Sequence, residues 1–235
     1  TLRILEAIKL LGLINKTKFY QASTSEMFGN AKKLPITEKT NFEPVNPYGV
    51  AKLYAYWMTK IYRQAYGMHA SNGILFNHES PRRGENFVTK KIVSSIVKIK
   101  HNKQKFLYLG NLDSKRDWGH AKDYVFGMWL MLQQKKSDDY ILSTGKSYSV
   151  RDFVEKCFDY IGIKIKWNGK GLKEIGINKS NNKTIVKVDK RYLRPNELHH
   201  LLGNSNKAFK TLKWNHKYNI NSLIKEMMND ELKKY

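Results

Sequence analysis

Two short stretches of this sequence hold groups that together can oxidise an alcohol. Ala22-Ser23-Thr24-Ser25-Glu26 offers a hydroxyl and a carboxylate, and Asn46-Pro47-Tyr48-Gly49-Val50-Ala51-Lys52 offers a phenol and an ammonium. Asn46 is suited to cap a helix and Pro47 to fill its first position, so Tyr48 and Lys52, at i and i+4, project from one face. An isolated tyrosine titrates near pH ~10, and a neighbouring cation lowers that value by favouring the phenolate. The pair then forms a general base that takes a proton from an alcohol as its hydride leaves. Taken singly, each group has a duller reading: tyrosine and lysine at this spacing often make an exposed helix pair, Glu26 a solvated loop acid and Thr24 a turn residue.

The elements that must position these groups follow from periodicity. Leu2, Leu5, Ile8 and Leu11 recur every three residues before Gly12, which predicts an amphipathic helix with a glycine stop. Residues 18–23 read as a strand, leaving Thr24 and Glu26 beyond its carboxyl end, where open parallel sheets bind ligands. A helix is expected from about Pro47 to Tyr66, ended by Gly67, with Val50, Leu53, Tyr54, Trp57 and Ile61 as its buried stripe and Tyr48 and Lys52 off that stripe. Residues 71–76 read as a strand and 77–84 as the loop at its ligand-facing end. A helix from Val88 carries Ile92, Val93, Ile96 and Ile99. Further strands are expected at 106–109, 140–143 and 184–189. A helix over 121–134 points Tyr124, Val125, Met128 and Leu132 inward. Ser149 and Asp152 form a capping box opening a helix with Phe153, Val154 and Phe158. Residues 168–183, rich in glycine and polar residues, read as a loop, and beyond Pro195 two short helices are expected, the last near 221–232.

Composition narrows the class. At 235 residues and 41% hydrophobic, the chain can bury one sizeable core, or one core with a smaller lobe. No apolar run approaches the ~20 residues that span a bilayer, and no signal peptide opens the sequence, so a soluble, cytoplasmic protein is expected. The lone Cys157 excludes an internal disulfide and reads as a helix packing residue. The net charge of +23 is the argument for a rival, a basic nucleic-acid-binding protein without catalysis. Against it, the lysines are scattered among polar positions with no long block or recognition helix. His69, His101, His199, His200 and His216 lack ligand-like spacing with acids, so no metal site is expected.

Longer strings add a resemblance. FYQASTSEMFG, NPYGVAKLYAYW, NGILFNHESPRRGENFVTKKI, LYLGN, RDWGHAKDYV and RYLRPNEL occur in order between residue 1 and about residue 200. In these strings the chain resembles the extended short-chain dehydrogenase/reductases and, within them, the GDP-mannose 4,6-dehydratase family. Sibling nucleotide-sugar epimerases share only the tyrosine–lysine element.

The resemblance implies an α/β fold: a partial Rossmann-like, doubly wound parallel sheet with a smaller interleaved α/β substrate-binding lobe. It implies one epimerase/dehydratase domain over 1–235, its cofactor lobe mainly 1–80 and 111–145 and its sugar-nucleotide lobe mainly 81–110 and 146–235. The implied activity is a hydro-lyase reaction, GDP-mannose to GDP-4-keto-6-deoxy-mannose plus water, in GDP-fucose or GDP-rhamnose biosynthesis. Tyr48 would take the C4 hydroxyl proton, Glu26 the C5 proton, and Thr24 would hydrogen-bond the C4 oxygen. Lys52 would hold the cofactor ribose and tune Tyr48. NADP is the implied cofactor, touched by Tyr48, Lys52, His78 and Arg83. Asn77, Val88, Lys91, Arg116, Arg194 and Glu197 match substrate positions, where a guanidinium suits the diphosphate and a carboxylate can accept from guanine N1 and N2. A homo-oligomer, dimer or tetramer, is implied for the full-length protein, with neither nucleic acid nor membrane as a partner.

A departure accompanies this match. No G-x-G-x-x-G string, the phosphate-cradling turn of such folds, occurs in the chain. The expectation is therefore an N-terminally truncated piece that binds NADP poorly and is inactive alone. The rival among enzymes is a related GDP-sugar epimerase or reductase, for which Glu26 would have no work to do.

Overall fold

Three strands, Phe19–Thr24, Ala70–Leu75 and Asp139–Leu142, run parallel with Ala70–Leu75 in the centre. That strand is buried along its whole length, as a strand covered on both faces must be. Successive side chains of a strand face opposite sides, so parity sorts the helices into two layers. Phe19 and Ala70 meet the helices Leu2–Leu10 and Pro47–Tyr66 through Leu5, Ile8, Met58 and Tyr62. Tyr20 and Leu75 meet the helices Ala121–Gln133 and Asn206–Leu212 through Tyr124, Met131, Ala208 and Leu212. The result is a doubly wound parallel sheet of three strands. This computed structural model describes residues 1–235, and the sheet just described belongs to a first unit of residues 1–78, 117–147 and 200–217.

The second unit comprises residues 79–116, 148–199 and 218–235. Its four-stranded sheet has the order Leu107–Leu109, Thr184–Val188, Ile175–Asn178, Ile165–Asn168, the first pair parallel and the others antiparallel. The helices Val88–Lys100, Val150–Tyr160 and Ile220–Leu232 pack together through buried Ile92, Ile96, Phe153, Phe158, Leu223 and Met227. Lys90 and Glu231, both almost fully buried, pair at 2.9 Å between the first and last of these helices. Cys157 is buried in the same unit, and burial pushes its thiol well up. No helix is long and apolar enough to cross a membrane.

Local signals placed the helix ends well. Asn46 Oδ1 accepts from Gly49 N at 2.7 Å, Gly67 closes the same helix in the left-handed region at φ 66°, and Ser149 with Asp152 completes the capping box. The buried face of that first helix differs from expectation. Gly49, Ala55, Tyr56, Thr59 and Tyr62 are buried, while Val50, Tyr54, Trp57 and Ile61 are exposed. Inward polar groups are satisfied there: Thr59 Oγ1 donates to Ala55 O and Tyr56 OH to Asp139, each at 2.8 Å. Small Ala55 lets the helix sit close to the strands. Val125 is likewise exposed instead of inward.

Residues 168–183 are not a single loop. Ile175–Asn178 pairs with strands on both sides, and this backbone bonding outweighs the local glycine and asparagine signals. Asn77–Glu79 is a short strand where a loop was expected. The lobes also interleave once more than expected. Residues 200–217 return to the first unit, where Trp214 fills the core and its Nε1 donates to Asp123 O at 2.7 Å. Residues 111–116 fall in the second unit, with Lys115 and Arg116 paired to Ser149 and Tyr148.

Candidate active site

Thr24 ends its strand and caps the single turn Ser25–Phe28, accepting from Glu26 N at 3.3 Å. Two bonds then tie this stretch to the Pro47–Tyr66 helix. Asn46 Nδ2 donates to Glu26 Oε2 at 2.8 Å, and Lys52 Nζ donates to Ala22 O at 2.8 Å. A side chain at Gly49 would stand 2.9 Å from the Glu26 carbonyl oxygen, so glycine is what lets the turn and the helix approach. The structure thus gathers Thr24, Glu26, Tyr48 and Lys52 at the carboxyl end of the parallel sheet.

The placement of Tyr48 and Lys52 corrects the expectation that they lie off the buried stripe. Positions 48, 52, 55 and 59 fall on one line of a helix, and Ala55 and Thr59 are buried against the sheet. Tyr48 and Lys52 continue that inward face past the strand ends. Tyr48 is consequently 50% exposed although its face is the packed one. The Lys52 Nζ lies 5.7 Å from the centre of the Tyr48 ring, and burial holds the ammonium below its ordinary pKa. A cation so placed favours the phenolate, and the carboxylate of Glu26 adds a second acceptor for protons.

His78 and Asn77 follow the central strand and are partly buried. His78 Nδ1 lies 2.9 Å from Phe76 O, a carbonyl that can only accept, so this nitrogen carries the proton and Nε2 is turned to its other side. The ring stacks on Tyr124 with centroids 4.7 Å apart.

The second unit holds the remaining charged positions, most of them engaged with a neighbour. Arg83 Nε meets Glu79 Oε2 at 2.9 Å and the guanidinium lies 3.4 Å from the centre of the Phe87 ring. Glu79 also accepts from Thr89 Oγ1 at 2.7 Å, yet burial pushes its carboxyl up to about 7 against the opposing pull of Arg83 and Thr89. Val88 is exposed at the start of its helix. Lys91 Nζ sits 3.0 Å from the centre of the Tyr192 ring, and burial lowers its pKa. Arg116 Nη2 pairs with Glu197 Oε1 at 3.1 Å, and Arg194 is exposed. Glu79, Thr89, Tyr192 and the second bond of Asn46 were missed from sequence. Glu79 standing four residues before Arg83, and Tyr192 inside RYLRPNEL, were the signals available.

Solved structures of similar fold include nucleotide-sugar enzymes. The structure of RMD from Pseudomonas aeruginosa complexed with NADPH matches with a TM-score of 0.82 at 20% identity, over 100% of this chain and 72% of that one. A dTDP-glucose 4,6-dehydratase from Bacillus anthracis in complex with NAD matches at 0.79 and 20% identity, over 98% and 65%. At such identities the likeness is one of fold, the Rossmann fold of NAD-dependent epimerases and dehydratases. Sequence goes further. The family model described as GDP-mannose 4,6 dehydratase matches residues 1–227, and the chain belongs to that family. A GDP-mannose 4,6-dehydratase of Sinorhizobium fredii is 56% identical over 99% of this chain, and that of Homo sapiens 52% identical over 99%. The chain spans 66% and 62% of those two relatives.

Proposed function

We propose that this chain carries the catalytic and sugar-nucleotide-binding residues of an NADP-dependent GDP-mannose 4,6-dehydratase. One observation carries the reading: Glu26 is hydrogen-bonded to Asn46 at the start of the helix of Tyr48 and Lys52, and Lys52 to Ala22 O in the strand that leads into the Thr24–Glu26 turn. A phenol base and a carboxylate base on adjoining elements suit two proton removals from neighbouring atoms of one ring.

Tyr48 takes the proton of the sugar C4 hydroxyl, Lys52 favouring the phenolate, and Thr24 hydrogen-bonds the C4 oxygen. The resulting ketone acidifies C5. Glu26 removes the C5 proton and delivers it to the departing C6 hydroxyl, so water leaves. NADP, when bound, would supply the hydride acceptor at C4 and the hydride donor at C6, and a proton returned to C5 would balance the one that Tyr48 took. The residues present fit such a group: in the first unit Lys52 offers a charged donor and His78 Nε2, left without the proton, an acceptor for a ribose hydroxyl, and in the second Arg83, held by Glu79, offers a charged donor to phosphate oxygens. For the sugar nucleotide, Lys91 and Arg194 serve the diphosphate, while Arg116 orients Glu197, whose carboxylate reads the guanine edge. Asn77 and Val88 are the further substrate positions. A carboxylate fixed in this way accepts from guanine N1 and N2, a pair of donors that adenine lacks.

The exposed row Val50, Tyr54, Trp57 and Ile61 supports self-association, and a homo-oligomer in the cytoplasm completes the reading. Light scattering of the purified protein checks that part; a monomer at every concentration sinks it.

The enzymatic part is tested with GDP-mannose carrying deuterium at C4, on this chain joined to the preceding part of the Sinorhizobium fredii relative. The reading expects GDP-4-keto-6-deoxy-mannose with that deuterium at C6. Deuterium left at C4, or released in reduced cofactor, favours the epimerase or reductase reading. Calorimetric titration with GDP-mannose beside duplex DNA at physiological salt addresses the remaining rival, and tighter binding of DNA overturns the proposal. Product formed by the 235-residue chain alone also refutes its expected inactivity.

A further inference from the structure

Asn46 uses both ends of one amide. Its oxygen accepts from Gly49 N at 2.7 Å and its nitrogen donates to Glu26 Oε2 at 2.8 Å. The assignment of the two atoms is settled by chemistry: a backbone N–H can only donate and a carboxylate can only accept, so the amide has one orientation that satisfies both. Capping the helix therefore aims the amide nitrogen at Glu26.

Other good capping residues lack this second function. Serine and aspartate cap about as well as asparagine does, and threonine somewhat less well. Aspartate, however, would bring a second carboxylate to Glu26, and the single oxygen of serine or threonine sits closer to its own backbone and presents no separate amide nitrogen. The backbone around the contact is also restrained, by Thr24 Oγ1 on Glu26 N, by the approach that Gly49 permits, and by Lys52 on Ala22 O. With the main chain held at these points, the amide of Asn46 selects the direction of the Glu26 carboxylate.

We propose that Asn46 is a positioning residue, which sets the Glu26 carboxylate in register with the helix that carries Tyr48. The inference rests on the reading of Glu26 as the C5 base, and it can be tested without hydride transfer. A 4-keto sugar already has an acidic C5 proton. In D2O, Glu26 breaks the C5–H bond, the electron pair passes to the C4 oxygen as an enolate, and a deuteron from the exchanged carboxyl returns to C5. Nothing is oxidised or reduced, and no cofactor is consumed.

The experiment follows deuterium uptake at C5 of GDP-4-keto-6-deoxy-mannose by mass spectrometry, using the 235-residue chain. Asn46→Ser and Asn46→Asp keep the cap, so both are expected to stay folded and to melt no more than about 10 °C below the parent chain, the loss attached to one hydrogen bond to a charged group. Both are expected to slow exchange at least ~10-fold, the cost of losing one hydrogen bond to a charged group, with binding of the keto sugar changed less than about twofold on the same scale. Glu26→Gln abolishes exchange. Exchange in Asn46→Ser and Asn46→Asp equal to the parent, while Glu26→Gln is dead, overturns the positioning role alone. Exchange that survives Glu26→Gln, or is absent from the parent chain, overturns the reading of Glu26 and this inference with it.

Discussion

The candidate site residues of the two units are held by different means. In the first, the reactive groups are tied by neutral contacts: Lys52 to a backbone carbonyl, Glu26 to an amide, His78 to a carbonyl. In the second, the anion-binding groups are tied by charge or by aromatic faces: Arg83 to Glu79, Arg116 to Glu197, Lys91 to Tyr192. A neutral tether fixes direction and leaves the charge available for chemistry. A charged tether stores a cation in a partly buried place without an unpaired charge, and an incoming diphosphate must share or displace it.

The contrast breaks most readily at Tyr48. Because its ring is half exposed and its role is chemical, Tyr48→Phe is expected to lower turnover about 10²- to 10⁴-fold with no change in melting temperature. Steady-state rates of the joined protein and a thermal melt on the same sample check this. A melt that drops with the rate would make Tyr48 a structural residue like those of the second unit.

Glu79 sharpens the other side. Its carboxyl is raised to about 7 in the fold, so between its ordinary value of 4.5 and about 7 the unfolded chain gives up a proton that the folded chain keeps. Stability contributed by this group is present below pH 4.5, is lost as pH rises to about 7, and is flat beyond. The slope is at most ~1.4 kcal/mol per pH unit for one proton. Urea denaturation across that range should show a loss in the parent chain that Glu79→Gln removes. Identical slopes would mean that Arg83 holds Glu79 ionised throughout.

The smallest effect expected is on affinity. Arg116→Ala leaves Glu197 without this guanidinium and is expected to weaken GDP binding about 10- to 100-fold, the worth of one charge-assisted contact. Fluorescence or calorimetric titration reads it directly. Arg116→Lys should recover little, since an ammonium lacks the planar fork that orients a carboxylate.

Several elements are legible in the sequence itself. Asn46, Pro47 and Gly67 mark both ends of the helix bearing Tyr48 and Lys52, and Ser149 with Asp152 marks another start, because capping is chemistry between near neighbours. The buried face of the same helix is misread by periodicity. Trp57 and Ile61 look like core residues in isolation, whereas Tyr56 and Thr59 can be buried because Asp139 and the Ala55 carbonyl accept their hydrogen bonds. Residues 168–183 mislead for a different reason: the strands that pair with Ile175–Asn178 are its neighbours in sequence, and backbone pairing on both sides outweighs the glycine and asparagine signals between them.

Residue types and their near neighbours were enough to say which reactive groups are present, where helices begin and end and, through long ordered strings, which family the chain resembles. Those properties depend on separations of a few positions. Folding was needed to show that Asn46 reaches Glu26 across 20 residues, that Arg116 meets Glu197 across 81, and that residues 200–217 rejoin the first unit. Such contacts come from closing long loops around a shared core, and no local spacing records which partners that closure brings together.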